Sequence, residues 1–405
     1  MKKIWIVLGL IFVLAAAPMA GAADTIKVGV PLAMTGPYTD AGDNYWKGAK
    51  MAIDELNEAG GVTGKQIEVV RYDTQEFSPE RVMQGADYLC GKENVASVHA
   101  GWAGWGQDVR AYGKYDQPFF ADDGSQLSVD VFKQDPKQYA NIFQYTDTGI
   151  EQAKSMFRVL TALPYDYPNK KVVIINADDS WGMEVGDTLE ENFENIGWKV
   201  ALRETVPYGT REWGPIMTRI RRIKPALIHV EIISAQEVIT FFRQFMKSPT
   251  NSILSYGWSL VPREVVETMG QEANGLLGEV PTAMPTPIAP TAKAQAWVDK
   301  FKKLYGHSPQ AGSWGAYSGV KIWAAAAEAV GDAYKLKEVV KYIQTHPYEG
   351  ETGPWMFDKD NVIRAGGAVP CGHFQVQNGE LVTIFTDPPT QPYKDFKFIV
   401  PRWIK

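Results

Sequence analysis

Cysteine is scarce in this chain of 405 residues: Cys90 and Cys371 are all there is. One disulfide is the most they can form, and two separate thiols is the simpler reading, since Cys90 falls at a helix end and Cys371 in a late strand. Basic runs are missing too. The net charge is -6 with both signs interspersed, which argues against a nucleic-acid partner. The five histidines (His99, His229, His307, His346 and His373) show no metal-ligand spacing, and no nucleophile elbow is present. The sequence therefore points away from an enzyme and calls for no cofactor and no metal. His99 and His229 end apolar strands, where a hydrogen-bonded structural role is the default. Beyond the first residues no apolar run is long enough to span a bilayer.

That first stretch reads as an address. Lys2 and Lys3 precede an apolar run from Ile4 to Ala17, and Ala20-Gly21-Ala22 offers a small-residue cleavage site. We expect residues 1–23 to be a signal peptide. With no cysteine near the cleavage point, no lipid anchor is expected. The mature protein should be soluble and lie in the periplasm.

What the chain has in quantity is tryptophan, 13 residues in a 12% aromatic composition. It also has a regular alternation of short apolar runs and amphipathic ones. Thr25–Val30, Ile67–Tyr72 and Val95–Ala100 read as strands; Tyr45–Asn57 and Pro79–Leu89 read as helices. The pattern resumes with strands at Lys171–Asn176, Val200–Val206, Ala226–Val230 and Ile253–Tyr256. Helices at Gly182–Phe193, Pro215–Ile223 and Gln236–Met246 alternate with them. Such alternation predicts parallel sheets covered by helices on both faces, and the two series predict two similar α/β lobes. Three later helices, Ala292–Tyr305, Trp314–Val330 and Leu336–Thr345, have no sheet of their own and should return to cover the first lobe. A proline-rich connection, Pro281–Pro290, precedes them. A hairpin from Gly353 to Arg364 and a tail from Ala368 are expected to finish the chain.

Ligands of open parallel sheets bind at the carboxyl ends of the strands, so the residues that follow each strand are the candidates. Trp102 and Trp105 follow Ala100, set among Gly101, Gly104 and Gly106. Asp122, Asp123, Gly124 and Ser125 follow Phe120. Asp178, Asp179, Ser180 and Trp181 follow Asn176. Glu231 follows Val230, and Trp258 follows Tyr256. Any one of the four indoles could be a plug between helix and sheet. All four as plugs is a poorer account, because the glycines favour an exposed backbone at the first turn. A phosphate loop fits worse: the glycine spacing is wrong and no Gly-Lys-Ser/Thr is present. Indole faces attract rings, alkyl groups and cations, and no Lys or Arg stands among these strand-end residues. The expected guest is small and organic, with an apolar or aromatic part, and neutral, zwitterionic or cationic. Asp178, Asp179 and Ser180 read more simply as a helix cap; Asp122 and Asp123 are turn-formers by default. Of Tyr45 and Trp46 at the start of their helix, Tyr45 is the better cleft candidate.

The stretch IKVGVPLAMTGPYTDAGDNYWKGAKMAIDELNEAGGVTGKQIEVVRYDTQ, with Ala177–Gly182 (ADDSWG) and Gly353–Asn361 (GPWMFDKDN), resembles the type I periplasmic solute-binding proteins of ABC transporters. The resemblance is to their leucine/isoleucine/valine-binding branch. It implies two Rossmann-like lobes joined by three crossover segments, with the ligand trapped by hinge closure. The expected division is 24–145 with 278–369 for one lobe and 146–277 with 370–405 for the other. It implies that Ser125 helps to receive a ligand carboxylate and that an aromatic, here Trp181, faces it from the second lobe. Trp102 departs from the pattern, because relatives carry serine there. The acid that receives an α-ammonium would fall near Gly257 or Trp258, neither acidic; Glu231 from the neighbouring strand is the available substitute. The candidate ligand-binding set is thus Tyr45, Trp102, Trp105, Asp123, Ser125, Trp181, Glu231 and Trp258. The expected function is capture of an amino-acid-like, amide or aromatic compound by a monomer and its delivery to an ABC permease, with a ligand-sensing subunit as the alternative.

Overall fold

A computed structural model describes residues 25–405 apart from 37, 76–77, 103, 233, 261–262, 281–291, 308, 310, 352 and 364–370. The expected signal peptide, 1–23, and the proline-rich connection, 281–290, lie outside the described residues. The chain opens β1 (Ile26–Leu32), α1 (Thr39–Glu58), β2 (Ile67–Asp73), α2 (Pro79–Ala86), β3 (Ser97–Trp102), α3 (Gln107–Tyr112), β4 (Phe119–Asp122), α4 (Gln126–Gln134) and β5 (Ile142–Gln144). These strands form one parallel sheet in the order β2-β1-β3-β4-β5. Helices lie on both faces, so β1 is buried at six of its seven positions rather than at alternate ones.

After α5 (Gly149–Ala162) come β6 (Lys171–Ala177), α6 (Ser180–Asn195), β7 (Lys199–Val206), α7 (Gly214–Ile223), β8 (Leu227–Glu231), α8 (Ala235–Met246), β9 (Ile253–Tyr256), α9 (Arg263–Met269) and β10 (Leu277–Val280). The chain then runs through α10 (Ala292–Tyr305), α11 (Ala311–Val330) and α12 (Leu336–Thr345). It ends with β11 (Tyr348–Gly350), β12 (Gly353–Trp355), β13 (Cys371–Gln377) and β14 (Glu380–Asp387). The second sheet has the order β14-β13-β10-β9-β8-β6-β7. Its strands from β7 to β10 are parallel, and β13 and β14 are antiparallel to their neighbours.

The late helices do return to the first lobe. α11 packs on α1 and reaches β3 and β4, and α12 packs on α11. The contact of α1 with α11 is close enough that a Cβ on Gly48 would lie 1.8 Å from the carbonyl oxygen of Ser313. Residues 361–363 bond to Gln144 at the edge of β5, with Gln144 N–H donating to Asn361 O (2.9 Å) and Ile363 N–H to Gln144 O (2.9 Å).

Three expectations need correction. The hairpin expected over 353–364 is formed one strand earlier, by β11 and β12. The expected tail contains β13 and β14, joined through Asn378 and Gly379, both at positive φ (54° and 81°). That dipeptide is the usual two-residue hairpin turn. The helix read as Pro79–Leu89 ends at Ala86 and continues as a π-helical turn over Asp87–Lys92. Cys90 and Cys371 are both buried, and no disulfide joins them. Among the described residues no helix is long and apolar enough to cross a membrane, and no group of His, Cys, Asp and Glu could hold a metal ion.

A tryptophan-lined candidate binding cleft

The glycine-bounded turn after β3 is shaped by what packs beneath it. β3 and β4 pair through His99↔Phe120 and then Trp102↔Asp122, so β3 carries one extra residue over that interval. The bulge re-aims Trp102 and sets it beside Asp122. Gly101 lies against the Tyr45 ring, where a Cβ would come within 2.5 Å. Trp105 then adopts φ 45° and Gly106 φ 90°. The left-handed region is uncommon for a bulky residue and costs about 1–3 kcal/mol. That strain projects an indole instead of tucking it under the sheet.

Trp102 and Trp105 face Trp181, from the first turn of α6, and Trp258, just past β9. These four with Asp122, Asp123, Gly124, Thr146 and Gln152 line a cleft of about 420 Å³, counting space open to solvent. Trp102, Trp105 and Trp258 are half-buried, whereas Trp181 is only 7% exposed. Trp181 is a fixed wall: its Nε1–H donates to Gln152 Oε1 (2.8 Å), and Gln152 Nε2–H donates to Asp147 O (2.6 Å). The two lobes touch on this side. Tyr38, Trp102 and Trp105 pack against the apolar cluster of the second sheet, and the Tyr38 and Tyr208 rings meet edge-on at 6.1 Å.

The floor is acidic. Tyr45 Oη–H donates to Asp122, and Thr146 also hydrogen-bonds to it. Burial nevertheless raises the Asp122 carboxyl to about 6, because these two donors only partly replace water. Asp123 accepts from Ser128 Oγ–H. Burial, then the neighbouring charge of Asp108, holds its pKa well above the ordinary carboxylate range. Asp108 is itself raised to about 6 by burial and accepts from Gly106 N–H (3.1 Å).

The structure brings five of the candidate residues together: Trp102, Trp105, Asp123, Trp181 and Trp258. Three others are not on the cleft surface. Tyr45 is buried in the first lobe's core and reaches the site only through its hydroxyl on Asp122. Ser125 is fully buried and caps α4, accepting from Leu127 N–H (3.1 Å) while its hydroxyl donates to Glu184 Oε1 (2.9 Å). Glu231 is 1% exposed and pairs with His229 Nε2 (2.9 Å). It lies under Gly257, where a Cβ would come 1.8 Å from Glu231 Oε1. Glu231 therefore cannot replace a missing cleft acid: it is covered by backbone.

Asp179 N-caps α6, accepting from Gly182 N–H (2.8 Å), as its helix-cap reading requires. His99 bonds Ser97 Oγ (2.9 Å) and stacks on Phe120 at 5.1 Å. Thr146, Gln152 and Glu184 were not singled out from sequence. Thr148-Gly-Ile-Glu151 carries the capping-box spacing that would have placed α5 and hence Gln152. Glu184 stands three residues after Trp181, on the same helix face.

The comparisons agree with this architecture. The chain is 24% identical over 391 residues to a Leu/Ile/Val-binding protein homolog 7 of Brucella melitensis, covering 92% of this chain and 95% of that protein. A putative branched-chain amino acid ABC transporter structure from Silicibacter pomeroyi superposes with a TM-score of 0.81 at 23% identity, over 94% of this chain and 100% of that one. A solute-binding protein of an ABC transporter from R. palustris in complex with benzoate superposes with a TM-score of 0.75 at 16% identity, over 92% of this chain and 100% of that one. The periplasmic binding protein family profile spans residues 25–369, which take in the first sheet, the parallel strands of the second and every residue that lines the cleft, and the chain belongs to that family.

Proposed function

We propose that this protein is the exported receptor of an ABC transporter. It captures a small organic solute between its two sheets and hands it, as a monomer, to a permease at the inner membrane. The observation that carries this reading is the cleft itself: indoles from both lobes converge on one space, with two carboxyl groups at its floor. A ligand that touches Trp102 and Trp105 on one side and Trp181 and Trp258 on the other favours the closed state, because the open state breaks half of those contacts. Export fits residues 1–23 as a cleaved signal peptide. The lobes would then divide at about 145, 278 and 370, with hinge segments near those positions.

The guest would be amino-acid-like, an amide or an aromatic compound. A plain branched-chain amino acid fits the cleft poorly. Ser125 is already engaged by Glu184, and Glu231 is covered by Gly257. Each well-placed ring contact contributes ~0.5–1.5 kcal/mol beyond its buried area. Trp102→Ala should therefore weaken the ligand found in a thermal-shift screen by about tenfold or more with little change in the unfolding temperature. Leucine should bind poorly by calorimetry. Unchanged affinity in Trp102→Ala, or submicromolar leucine binding, would overturn this account of the cleft.

A further inference from the structure

Which charge the cleft accepts can be argued from what already fills it. Free N–H groups at a helix start are a natural seat for an anion. At the cleft edge, the α4 start is taken by the protein's own carboxylate from the opposite lobe. Glu184 Oε2 accepts from Gln126 N–H (2.8 Å), and Oε1 accepts from Leu127 N–H (3.2 Å) and from Ser125 Oγ–H (2.9 Å). The α6 start is taken by Asp179, whose other oxygen receives the Tyr208 hydroxyl. The turn that carries Trp105 and Gly106 gives its N–H to Asp108.

The remaining equipment suits the opposite sign. No Lys or Arg lines the cleft among the described residues, while Asp122 and Asp123 do, at 7% and 6% exposure. Asp123 is already engaged by Ser128, Asp108 and the Gly106 N–H, whereas Asp122 holds only hydroxyl donors, from Tyr45 and Thr146, and no cation. A buried carboxylate without a cation is unfavourable unless a partner arrives. Four indoles surround this floor, and indole faces attract a desolvated cation.

Resting on the reading of this chain as a solute receptor, we propose that its ligand class is an organic ammonium, alkyl or aryl-alkyl. Its nitrogen sits against Asp122 with Asp123 beside it, and its apolar remainder lies between Trp102, Trp105, Trp181 and Trp258. A carboxylate that brings no ammonium group is refused, because the N–H groups that would hold it already hold Glu184.

Calorimetry with four probes that share a phenyl ring tests this: phenethylammonium, benzyltrimethylammonium, benzyl alcohol and benzoate, each against the mature protein at neutral pH. At least one ammonium probe should bind at least tenfold more tightly than benzyl alcohol, and benzoate should give no heat. Asp122→Asn should lose at least tenfold in ammonium affinity and leave benzyl alcohol unchanged. Glu184→Ala, which vacates the α4 start, should gain benzoate binding. Benzoate binding the unmodified protein as tightly as the ammonium probes would overturn the proposal, as would equal affinity for benzyl alcohol. A non-cationic solute found by wider screening to close the protein, with no ammonium bound, would overturn the ligand class and leave the receptor reading standing. No solute of any class binding would instead remove the receptor reading.

Discussion

Asp122 is a carboxyl kept where a carboxyl is uncomfortable. Its pKa is raised to about 6 from 3.8, chiefly by burial, against the opposing hydrogen bonds of Tyr45 and Thr146. A raised acid pKa means that the folded state holds the proton more tightly than the unfolded chain does. Its contribution to stability is therefore most favourable at low pH, falls as pH rises from about 4 to about 6, and stays low above that. About two pH units correspond to ~3 kcal/mol as an upper bound. Asp122→Asn removes the buried charge and keeps an acceptor for the Tyr45 hydroxyl. The variant should unfold at the same or a higher urea concentration than the parent at pH 8, and the gap should narrow toward pH 4. A variant clearly less stable at pH 8 would mean that the carboxylate is a structural partner of Tyr45 rather than a strained functional group. Groups held against their stability in a cleft are characteristic of binding sites.

At the scale of elements, the strand–helix alternation was legible because each strand is short, apolar and bounded by turn residues. The strand-end rule found all four cleft indoles for the same reason: in a parallel sheet, chain order alone decides which end of each strand carries the loops. What a one-dimensional pattern did not carry was side-chain direction where an element is covered on two sides. α1 illustrates this. Trp46, Ala49, Ile53 and Leu56 make a plausible single apolar face. But α11 returns from far along the chain to cover the helix, and the buried apolar side chains are Tyr45, Ala49, Met51, Ala52 and Ile53. Trp46 is left half-buried under the Arg71 guanidinium at 4.8 Å. Likewise, Ser125 and Glu231 were legible as strand-end polar residues, but their occupation by Glu184 and His229 depends on packing between elements.

The α1–α11 seam gives a direct test of this. A Cβ at Gly48 would meet the Ser313 backbone, which has no rotamer with which to yield. Gly48→Ala should destabilise the protein by about 1–3 kcal/mol or more. Gly214→Ala at the start of α7, where no atom lies within 4 Å, should change stability by about 0.5 kcal/mol or less. Urea unfolding followed by tryptophan fluorescence compares the two. Equal, small effects would show that α11 does not press on α1 as described.

For the whole molecule, the lobes are in contact on the cleft side, and Glu184 is the most specific of those contacts. It carries three hydrogen bonds from α4 across the gap, whereas the Tyr38–Tyr208 ring contact and the packing of Trp102 and Trp105 are apolar and less directional. Burial raises the pKa of Glu184 and the donated hydrogen bonds lower it again, so this contact is weakened by both opening and protonation. Hydrogen bonds to a charged group contribute on the order of 1.5–3 kcal/mol each, offset here by desolvation of a partly buried carboxylate. A net loss of ~2 kcal/mol would move the open-to-closed ratio of the ligand-free protein about thirtyfold toward open. Glu184→Ala should therefore show a larger radius of gyration than the parent by small-angle scattering without ligand. Saturating ligand should restore the compact form, because the indole contacts remain. A radius equal to the parent's in both conditions would show that the aromatic contacts alone hold the lobes together.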